Sequence, residues 1–484
     1  MNAKAPSAVL AAVAVVLTAT AAGQRSSDEH AGGVQLPSAP TLNLNLNASQ
    51  NPFQGSVPTG KASGEVMPLS LKEAIDRGIR QNLGLLFASQ SMVNARGEVW
   101  RKLSELLPQL NVTTAESVNQ INLQALGFNP ANFPGLNPIV GPFNYFDVRA
   151  NLSEDLALKS FHNWRAAGHS QRAAELSFRD ARELVVLAVG ATYLQALADG
   201  ARIDTARAQV QTAQSLYDRA VDQQRAGLSP AIDVLRARVE LQSLQQQLIV
   251  AENTFAKQKL ALARTIGLPA GQQFGLTEKA PYTPLTDITL ESALSRAYST
   301  RQDFQSAAAL LRSAEWARRG ASAEYLPSIS IDADYGDIGV TPGNSHGTFH
   351  VTGTLKVPIF QGGKVHGDVL QADSLLQRRR SELEDLRGRI DFEVRTAFLD
   401  LKAASDQVEV ARSSVDLATQ ALAQAQDRFA AGVTNNIEVI QAQQSLAAAN
   451  ESYISSVYAH NVAKLSLARA VGIAEQGVRQ YLGK

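Results

Sequence analysis

Two stretches without proline and with little glycine predict very long helices, from about Phe161 to Ala226 and from about Val365 to Ala431. Each has about 65 residues, or about 100 Å as α-helix. In the second stretch, large apolar residues recur every seven positions, at Val394, Leu401, Val408, Val415, Leu422 and Phe429. Three residues after each of the first five stands an alanine, at Ala397, Ala404, Ala411, Ala418 and Ala425. This period predicts left-handed supercoiling against a partner helix, with closely approaching backbones.

The first stretch keeps a similar pattern, with large residues and alanines at Val189, Ile203, Val210, Tyr217, Ala206, Ala213 and Ala220. Each stretch ends at a glycine turn, Gly227 or Gly432, and a second helix of about 35 residues follows. These helices are predicted at Pro230–Ile266 and Asn436–Val471. Two antiparallel coiled-coil hairpins result, and on the helices alone a mere spacer is as good an interpretation as any other.

Four shorter segments alternate apolar and polar residues and predict β-strands. They lie at Phe146–Leu152, Ile329–Tyr335, Phe349–Val357 and, more weakly, Leu110–Asn122. About ten residues with one apolar and one polar face are typical of an outer-membrane strand, with lipid outside and water inside. A soluble sheet with one face on a core is the alternative, but no other part of the chain offers a large apolar surface to cover these faces.

Four strands cannot close a barrel, and an open sheet edge cannot lie in hydrocarbon. The chain is therefore predicted to associate with copies of itself. Two copies would give eight strands, with an interior just filled by side chains, whereas three would give twelve strands and leave a bore. Polar inner faces that line a passage favour the trimer, in which twelve helical segments would continue the tube.

The chain contains an internal repeat. Tyr193–Leu197 recurs as Phe398–Lys402, and Gly227 recurs as Gly432, at a shift of about 205 residues that we call the smaller offset. Upstream, Leu71 corresponds to Leu290, at about 219 residues, the larger offset. Between them the stretch Gln124–Asn144 is a longer loop than Asp337–His346. A fold built from two equivalent halves is predicted.

The N-terminus reads as a secretory signal peptide, with Lys4 before a short apolar run at Val9–Leu17 and small residues at Ala19–Ala21. A short membrane anchor is the alternative, and no later transmembrane helix is predicted. The segment after it is rich in Ser, Gly, Pro and Asn and reads as a mobile leader. The predicted organisation is signal peptide 1–22, leader 23–66, first repeat 67–272, second repeat 273–475 and C-terminal tail 476–484.

Composition removes several classes of function. Lys and Arg together number 45, and so do Asp and Glu, so the formal net charge is zero. The sequence therefore lacks the excess of basic residues that is typical of nucleic-acid-binding proteins. There is no cysteine, which excludes disulfides, thiolate metal ligands and a lipidated N-terminal cysteine. His346 and His350 are four residues apart in a hairpin and strand, where polar lumen or loop residues are favoured over a metal site. No cofactor, no metal and no catalytic residue is predicted, and the chain is not expected to be an enzyme.

The ordered set of these features resembles the TolC-like outer membrane factor family, from about Leu69 to Gly472. The resemblance rests on the L-x-x-A starts at Leu71 and Leu290, the Leu-Pro before each hairpin, the corner Val357–Gly363 and the Ala-Gly turns at the tips. It implies a mainly α trimer with a 12-stranded outer-membrane β-barrel in lipid and a periplasmic α-helical barrel. Such a duct would serve an inner-membrane pump and a periplasmic adaptor, in efflux or type I secretion. At Leu156–Lys159 the first repeat lacks the Phe-x-Gly-Gly corner.

The resemblance implies a gate just beyond the glycine turns. Asp233 and Glu438 lie six residues after Gly227 and Gly432, and they match positions where the family often has an acid facing the bore. In a trimer each would become a ring of three carboxylates that repels anions. Gln441 and Thr434 stand where some relatives have an acid and a latching arginine, so a weaker ring and a different latch are expected. Ordinary charge at a helix N-terminus is the alternative.

The same tips are candidates for adaptor docking, because small residues would let a partner's helical hairpin approach closely. The residues concerned are Arg225, Gly227, Leu228, Gly432 and Val433. The alternative is that each glycine simply ends a helix. The competing function for the whole chain is a periplasmic coiled-coil spacer or adaptor without a pore.

Overall fold

The computed structural model describes residues 52–128, 135, 137–227, 229–278, 282–283, 289–434 and 436–481. All of them belong to one unit of the chain, Asn45–Lys484. The predicted signal peptide and most of the predicted leader lie outside the described residues.

The first part of the chain contains β1 Met67–Leu69, α1 Leu71–Gln81, α2 Leu83–Ser104, β2 Gln109–Asn122, β3 Ile139–Leu156, α3 Leu158–Arg225 and α4 Ala231–Ile266. The second part contains β4 Phe274–Leu276, α5 Leu290–Thr300, α6 Gln302–Ala323, β5 Ser328–Thr341, β6 Asn344–Lys356, α7 Lys364–Ala430, α8 Asn436–Val471 and α9 Ala474–Tyr481. The order of elements in the first part thus recurs in the second. The predicted long helices and their partner helices are confirmed to within three residues at each end.

The seven-residue pattern of α7 faces inward. Val394 and Val408 are fully buried, and Ala397, Ala404 and Ala411 are less than a tenth exposed. α7 packs along α8, and α3 packs along α4. In the first hairpin the seam includes Ile203, Ala213 and Ala220, which are buried as well. The alanine positions therefore bring paired backbones together, as the pattern predicts.

One antiparallel sheet holds the four predicted strands in the order β2-β3-β5-β6. Its register puts the apolar positions on one face: Leu110 pairs with Leu152, Leu152 with Ala333, and Ala333 with Val351. The face is uncovered, since Phe349 is 76% exposed and Leu110 is 70% exposed. The alternative of a soluble sheet packed on a core is therefore wrong for this chain.

The opposite face of the sheet is polar. The Arg149 guanidinium lies 2.7 Å from an Asp147 carboxylate oxygen and 3.1 Å from one of Asp334. β2 and β6 are the two edge strands of the sheet. Among the described residues, neither has a strand partner on its outer side. Each leaves a row of backbone donors and acceptors to be satisfied by something else.

Residues 52–66 depart from the leader prediction. A short 3₁₀ turn, Pro52–Gln54, packs Phe53 against the main core, and the Val57 amide donates to the Gln81 carbonyl at 2.9 Å. Phe53 is the reason that this stretch docks, because its ring gains a buried apolar contact that the Ser- and Gly-rich residues before it cannot supply. Residues from Pro52 onward thus pack on the body of the protein, within the stretch predicted to be a mobile leader.

The main core lies where the helices of both halves meet. Tyr193 is fully buried and donates from its hydroxyl to the Leu69 carbonyl at 3.0 Å. Burial of the ring raises the pKa of the Tyr193 hydroxyl. One described helix, α3, contains an 18-residue window apolar enough to cross a membrane, a pattern that the sequence analysis did not predict. Since 56% of that window is buried inside the protein, packing in the core explains it.

Candidate functional site at the helix tips

Two glycine turns form the tips. Gly227 and Gly432 have φ of +74° and +71°, in the left-handed region that glycine adopts without strain. Each turn reverses the chain, from α3 into α4 and from α7 into α8. Behind them, Val439 of α8 is fully buried against Phe429 of α7 and Leu216 of α3. This small apolar cluster holds the two hairpins side by side.

Asp233 is buried, with only 6% of its surface exposed. Its carboxylate lies 3.4 Å from the Arg236 guanidinium, one turn further along α4. Its position in the first turn of α4 also suits a carboxylate, because unpaired backbone N–H groups point toward that end of the helix. In the single chain the Asp233 carboxylate is therefore covered, and the helix N-terminus and Arg236 stabilise its charge.

Glu438 is more open, with 38% of its side chain exposed. One carboxylate oxygen lies 3.3 Å from the Arg428 guanidinium at the end of α7, and the other accepts a hydrogen bond of 2.5 Å from the Thr434 hydroxyl. Thr434 thus contacts the acid of its own tip. Arg428 is itself half exposed, so it compensates the charge of Glu438 only partly. The Glu438 carboxylate can therefore still attract cations from solvent.

A hydrogen bond joins the two tips. The Asn436 side-chain amide donates to the Asp233 backbone carbonyl at 2.8 Å, and Asn436 is fully buried. Further along the same two helices, the Gln444 amide donates to the Glu240 carboxylate at 3.3 Å. Because a buried amide loses its hydration, the first of these bonds costs more to break than the second, exposed one.

Gln441 is exposed and lines a cavity of about 390 Å³ between α4 and α8. The rest of the lining is mostly apolar and includes Ile232, Leu235, Val239, Ile437 and Ile440. An apolar recess beside a polar tip can accept the side chains of another helix, so this position suits a contact surface better than an ion ring.

The residues predicted for docking are open to solvent. Arg225 is paired only with the exposed Asp222 at 3.6 Å, and Val433 is 70% exposed. Apart from its neighbours in the chain, neither glycine has a described atom within 4 Å of where a Cβ would be, so a side chain there would meet open space. Leu228 lies outside the described residues.

Sequence reasoning missed three residues of this site: Asn436, Arg236 and Arg428. The repeat contains the signal that could have found them. The smaller offset relates Asn436 to Ala231, Arg236 to Gln441, and Arg428 to Gln223. Each of the three is therefore a place where the two halves differ chemically beside an acid that they share.

The candidate histidines, His346 and His350, both lie on β6. His350 contacts the hydroxyl of Thr352 on the same strand. Among the residues that the structure describes, there is no group of three or more His, Asp or Glu side chains able to hold a metal ion.

A sheet with one uncovered apolar face and one charged face, continued by paired helices with acidic tips, defines a subunit of a membrane channel. The chain belongs to the outer membrane efflux protein family, whose model matches residues 74–268 and 293–473. It is accordingly an efflux channel protein of the outer membrane, with its helical part in the periplasm, and it is TolC-like, as the resemblance implies.

Among the relatives, the outer membrane protein TolC of Vibrio cholerae is 23% identical over 441 residues, which is 88% of this chain and 96% of that protein. The cation efflux system protein CusC of Escherichia coli is 22% identical over 405 residues, 79% of this chain and 85% of that protein.

Solved structures share the fold. The outer membrane protein VceC of Vibrio cholerae superposes with a TM-score of 0.71 at 19% identity, covering 83% of this chain and 96% of that one. The CmeC outer membrane channel of Campylobacter jejuni gives 0.72 at 19% identity, covering 88% and 92%.

Proposed function

We propose that three copies of this chain close their sheets into one 12-stranded barrel in the outer membrane and continue it as a helical tunnel into the periplasm. The uncovered apolar face of the sheet, with the two strand edges that lack partners, carries this proposal. Lipid can cover that face, but only strands of other copies can satisfy the edges in hydrocarbon. Twelve strands leave a water-filled bore, which the charged face with Arg149 and Asp334 suits.

The tunnel would end at the helix tips, which we propose to be its gate. Three copies would place three Glu438 carboxylates in one ring, and like charges close together repel anions and attract cations. Asp233 would serve the gate differently, because its backbone carbonyl accepts the hydrogen bond from Asn436 that ties the second tip to the first. Thr434 would hold Glu438 within its own tip, and Gln441 would lie beside the ring on the apolar recess.

Beyond the tips, a periplasmic adaptor and an inner-membrane pump would deliver the cargo. The open glycine turns and the recess between α4 and α8 support docking of an adaptor hairpin at Arg225, Gly227, Leu228, Gly432 and Val433. The cargo would be selected by the pump, because nothing in a passive duct needs to recognise it. Neither a nucleophile nor a cofactor has a part in this function.

The chain is proposed to consist of two duplicated halves, 67–272 and 273–475, with a tail after them. The larger offset relates both ends of α2 to those of α6, and both ends of β2 to those of β5. The halves are not separate globular domains, because their strands share one sheet and β1 pairs with β4 across them.

Planar-bilayer recording tests the duct. Purified protein in detergent should add conductance in steps of uniform size, and light scattering should give a mass of three chains. Protein that is monomeric in plain buffer and electrically silent would instead support the spacer alternative.

A further inference from the structure

We infer that a cavity between the two helical hairpins binds an aliphatic polyamine, a flexible chain that carries an ammonium group near each end. The cavity has a volume of about 560 Å³ and lies among α3, α4 and α8, with Leu422 of α7 at its side. We call it the inter-hairpin cavity. Its volume is within the range of pockets that hold small organic molecules.

The lining of the inter-hairpin cavity suits a cation. Asp204 of α3 and Glu240 of α4 supply two carboxylates, and five further residues supply side-chain amides, among them Gln209 and Asn450. None of the described residues that line it is a lysine, an arginine or a histidine. Carboxylate and amide oxygens accept hydrogen bonds from an ammonium group, and the carboxylates also attract its charge.

The two carboxylates lie at opposite ends of the cavity. Residue numbers rise toward the tip along α3 and away from it along α4, so Asp204 is at the far end and Glu240 at the tip end. The α3 part of the lining runs from Asp204 to Thr212, about 12 Å along the helix. Between the acids, Leu244 and Leu446 give the wall an apolar surface that suits the methylene groups of an extended chain.

A second observation, independent of the charges, points to a ligand. Gln443 of α8 lines the cavity and is only 8% exposed, yet neither atom of its side-chain amide has a hydrogen-bond partner. An unpaired buried amide is unfavourable, because it has lost its hydration without a replacement. Its unbranched side chain can turn toward an ammonium group in the cavity, which would give the amide oxygen a donor.

Neither carboxylate of the cavity is neutralised within the part of the chain that the structure describes. Asp204 is exposed, and no basic side chain pairs with it there. Glu240 is half-buried and accepts a hydrogen bond of 3.3 Å from the Gln444 amide, a neutral donor that leaves the negative charge in place. Both carboxylates can therefore attract a cation from solvent.

The separation of the acids favours a polyamine over other cations. A calcium or magnesium ion needs several oxygen ligands around a single point, and carboxylates at opposite ends of a cavity cannot share one ion. A monoamine would compensate only one of the two charges. A chain with an ammonium group near each end reaches both carboxylates and lays its methylene groups on the leucines between them.

An occupant of this cavity would join the two hairpins. The bond from Gln444 to Glu240 lies at its tip end, and the bond from Asn436 to the Asp233 carbonyl lies still closer to the tips. A ligand in contact with α3, α4 and α8 together adds to these bonds and favours the observed spacing of the hairpins. Polyamine should therefore lengthen the closed periods of the channel. This consequence alone rests on the proposed function, and the binding site does not.

Calorimetric titration of the natural protein in detergent, at low ionic strength, tests the site with spermidine as the probe. Spermidine should bind saturably, and hexylamine, which has a single ammonium group, should bind about fivefold more weakly. Asp204→Asn and Glu240→Gln should each weaken spermidine binding by about the same factor. The matched control is Asp218→Asn, an exposed acid of α3 outside the cavity, and it should leave the affinity unchanged.

Gln443→Leu separates a ligand contact from a structural role. This variant should weaken spermidine binding, while the unfolding temperature of the protein without spermidine stays the same or rises. The reason is that an unpaired buried amide is replaced by an apolar side chain of similar size. A lower unfolding temperature would show that the amide is already satisfied without a ligand, and would overturn the site.

Two further outcomes would overturn the site. One is the absence of saturable binding, and the other is spermidine binding that both Asp204→Asn and Glu240→Gln leave unchanged, since that binding would be adsorption elsewhere on the surface. Planar-bilayer recording examines the channel separately. Closed periods that spermidine lengthens in the natural protein but not in Gln443→Leu would support the link to the tips. Saturable binding to a protein that is electrically silent would uphold the site and overturn the proposed channel.

Discussion

At each helix tip an arginine lies beside a carboxylate, but the two arginines come from different places in the repeat. Arg236 is on the same helix as Asp233, whereas Arg428 reaches Glu438 from the preceding helix. In the first pair only the acid is buried, since the Arg236 side chain is 44% exposed, whereas both side chains of the second pair are partly open. The two acids, equivalent in sequence, therefore have different surroundings: one is buried in its tip and the other remains in contact with solvent.

Replacing Glu438 tests whether the exposed acid, and not the buried Asp233, influences ions in the proposed pore. In the closed ring of copies, Glu438→Ala should raise single-channel conductance and weaken the preference for cations, since three exposed carboxylates are lost. Adding Asp233→Ala should change the reversal potential little further, because that carboxylate is buried. Reversal potentials across a potassium chloride gradient measure both effects, with Asp222→Ala, an exposed acid of the same tip, as the control. Currents unchanged by either variant would show that neither residue narrows the pore.

The position of the tips could be predicted from sequence, since glycine turns between helical patterns have a clear physical cause. The burial of Asp233 could not, because it depends on which way the first turn of α4 faces after the hairpins pack. Asn436 is similar. A lone asparagine after a turn predicts only a helix cap, and its bond to the other tip needs the three-dimensional packing of both hairpins.

Among the elements, α6 begins at an unusual charged residue. Arg301 precedes α6 and is 3% exposed at its side chain, where Asn82 occupies the equivalent place before α2. Its guanidinium lies 2.6 Å from Asp303 and 2.5 Å from Glu393 of α7. Burial by itself would raise the pKa of Asp303, but the hydrogen bond and charge of Arg301 outweigh it and lower that pKa.

Arg301→Ala should therefore destabilise the fold, by about 3 kcal/mol, because it leaves the partly buried carboxylates of Asp303 and Glu393 without their buried cation. The matched control is Arg318→Ala, whose partner Asp373 lies at 2.8 Å but whose side chain is 46% exposed. It should cost less than about 1 kcal/mol. Urea unfolding of the protein in detergent, followed by circular dichroism, compares the two. Equal midpoints would contradict a structural role for the buried cluster.

The junction of sheet and helices predicts a pH dependence. Glu324 accepts hydrogen bonds from Lys159 and Lys364, and although burial opposes the shift, these cations lower the pKa of its carboxyl. A lowered pKa contributes stability that is fully present above the ordinary glutamate pKa of about 4.3, and this stability is lost as pH falls through the lower pKa of the folded state. Glu324→Gln should reduce the loss of thermal stability between about pH 5 and pH 3.

Glu315→Gln, on α6 but outside this junction, is the control for that measurement. The same slope in natural and Glu324→Gln protein would show that other carboxylates dominate acid unfolding.

Element types were predictable because their patterns have different periods. Seven-residue spacing gave α7 its seam, and alternation gave the three stronger strands. β2 was the weakest prediction, since Glu116 and Gln120 interrupt its alternation, and its pairing with β3 supplies what the local pattern lacks. Phe53 was missed for the opposite reason: one aromatic residue in a polar segment shows no period at all.

At the scale of the whole molecule, the two faces of the sheet should respond differently to charge. Phe349→Lys puts an ammonium on the uncovered apolar face, at a cost of about 2–4 kcal/mol if that face meets the middle of the bilayer. Thr348→Lys changes the next residue, on the polar face, and should be tolerated. Outer-membrane fractions of cells that express each variant, probed for heat-modifiable oligomer, measure the difference. Equal yields would contradict lipid contact at Phe349.

The number of copies is the part of the architecture that one chain can suggest only indirectly. The strand count sets the possible rings, but the free energy that selects among them comes from contacts between chains. In a single subunit, such contacts are indicated by residues that are exposed although their equivalents in the other half are buried. Phe87 of α2 is the clearest example, since its equivalent Ser306 of α6 is buried.

The unbroken length of the two long helices has a mechanical consequence. α3 has 68 residues and α7 has 67, so each is a rod of about 100 Å from the sheet to its tip. As a lever pivoting beside Glu324, such a rod moves its far end by about 5 Å for a tilt of only about 3°. Sub-ångström shifts at the sheet end of the helix would be enough to change the proposed aperture at the tips, without unwinding a single turn.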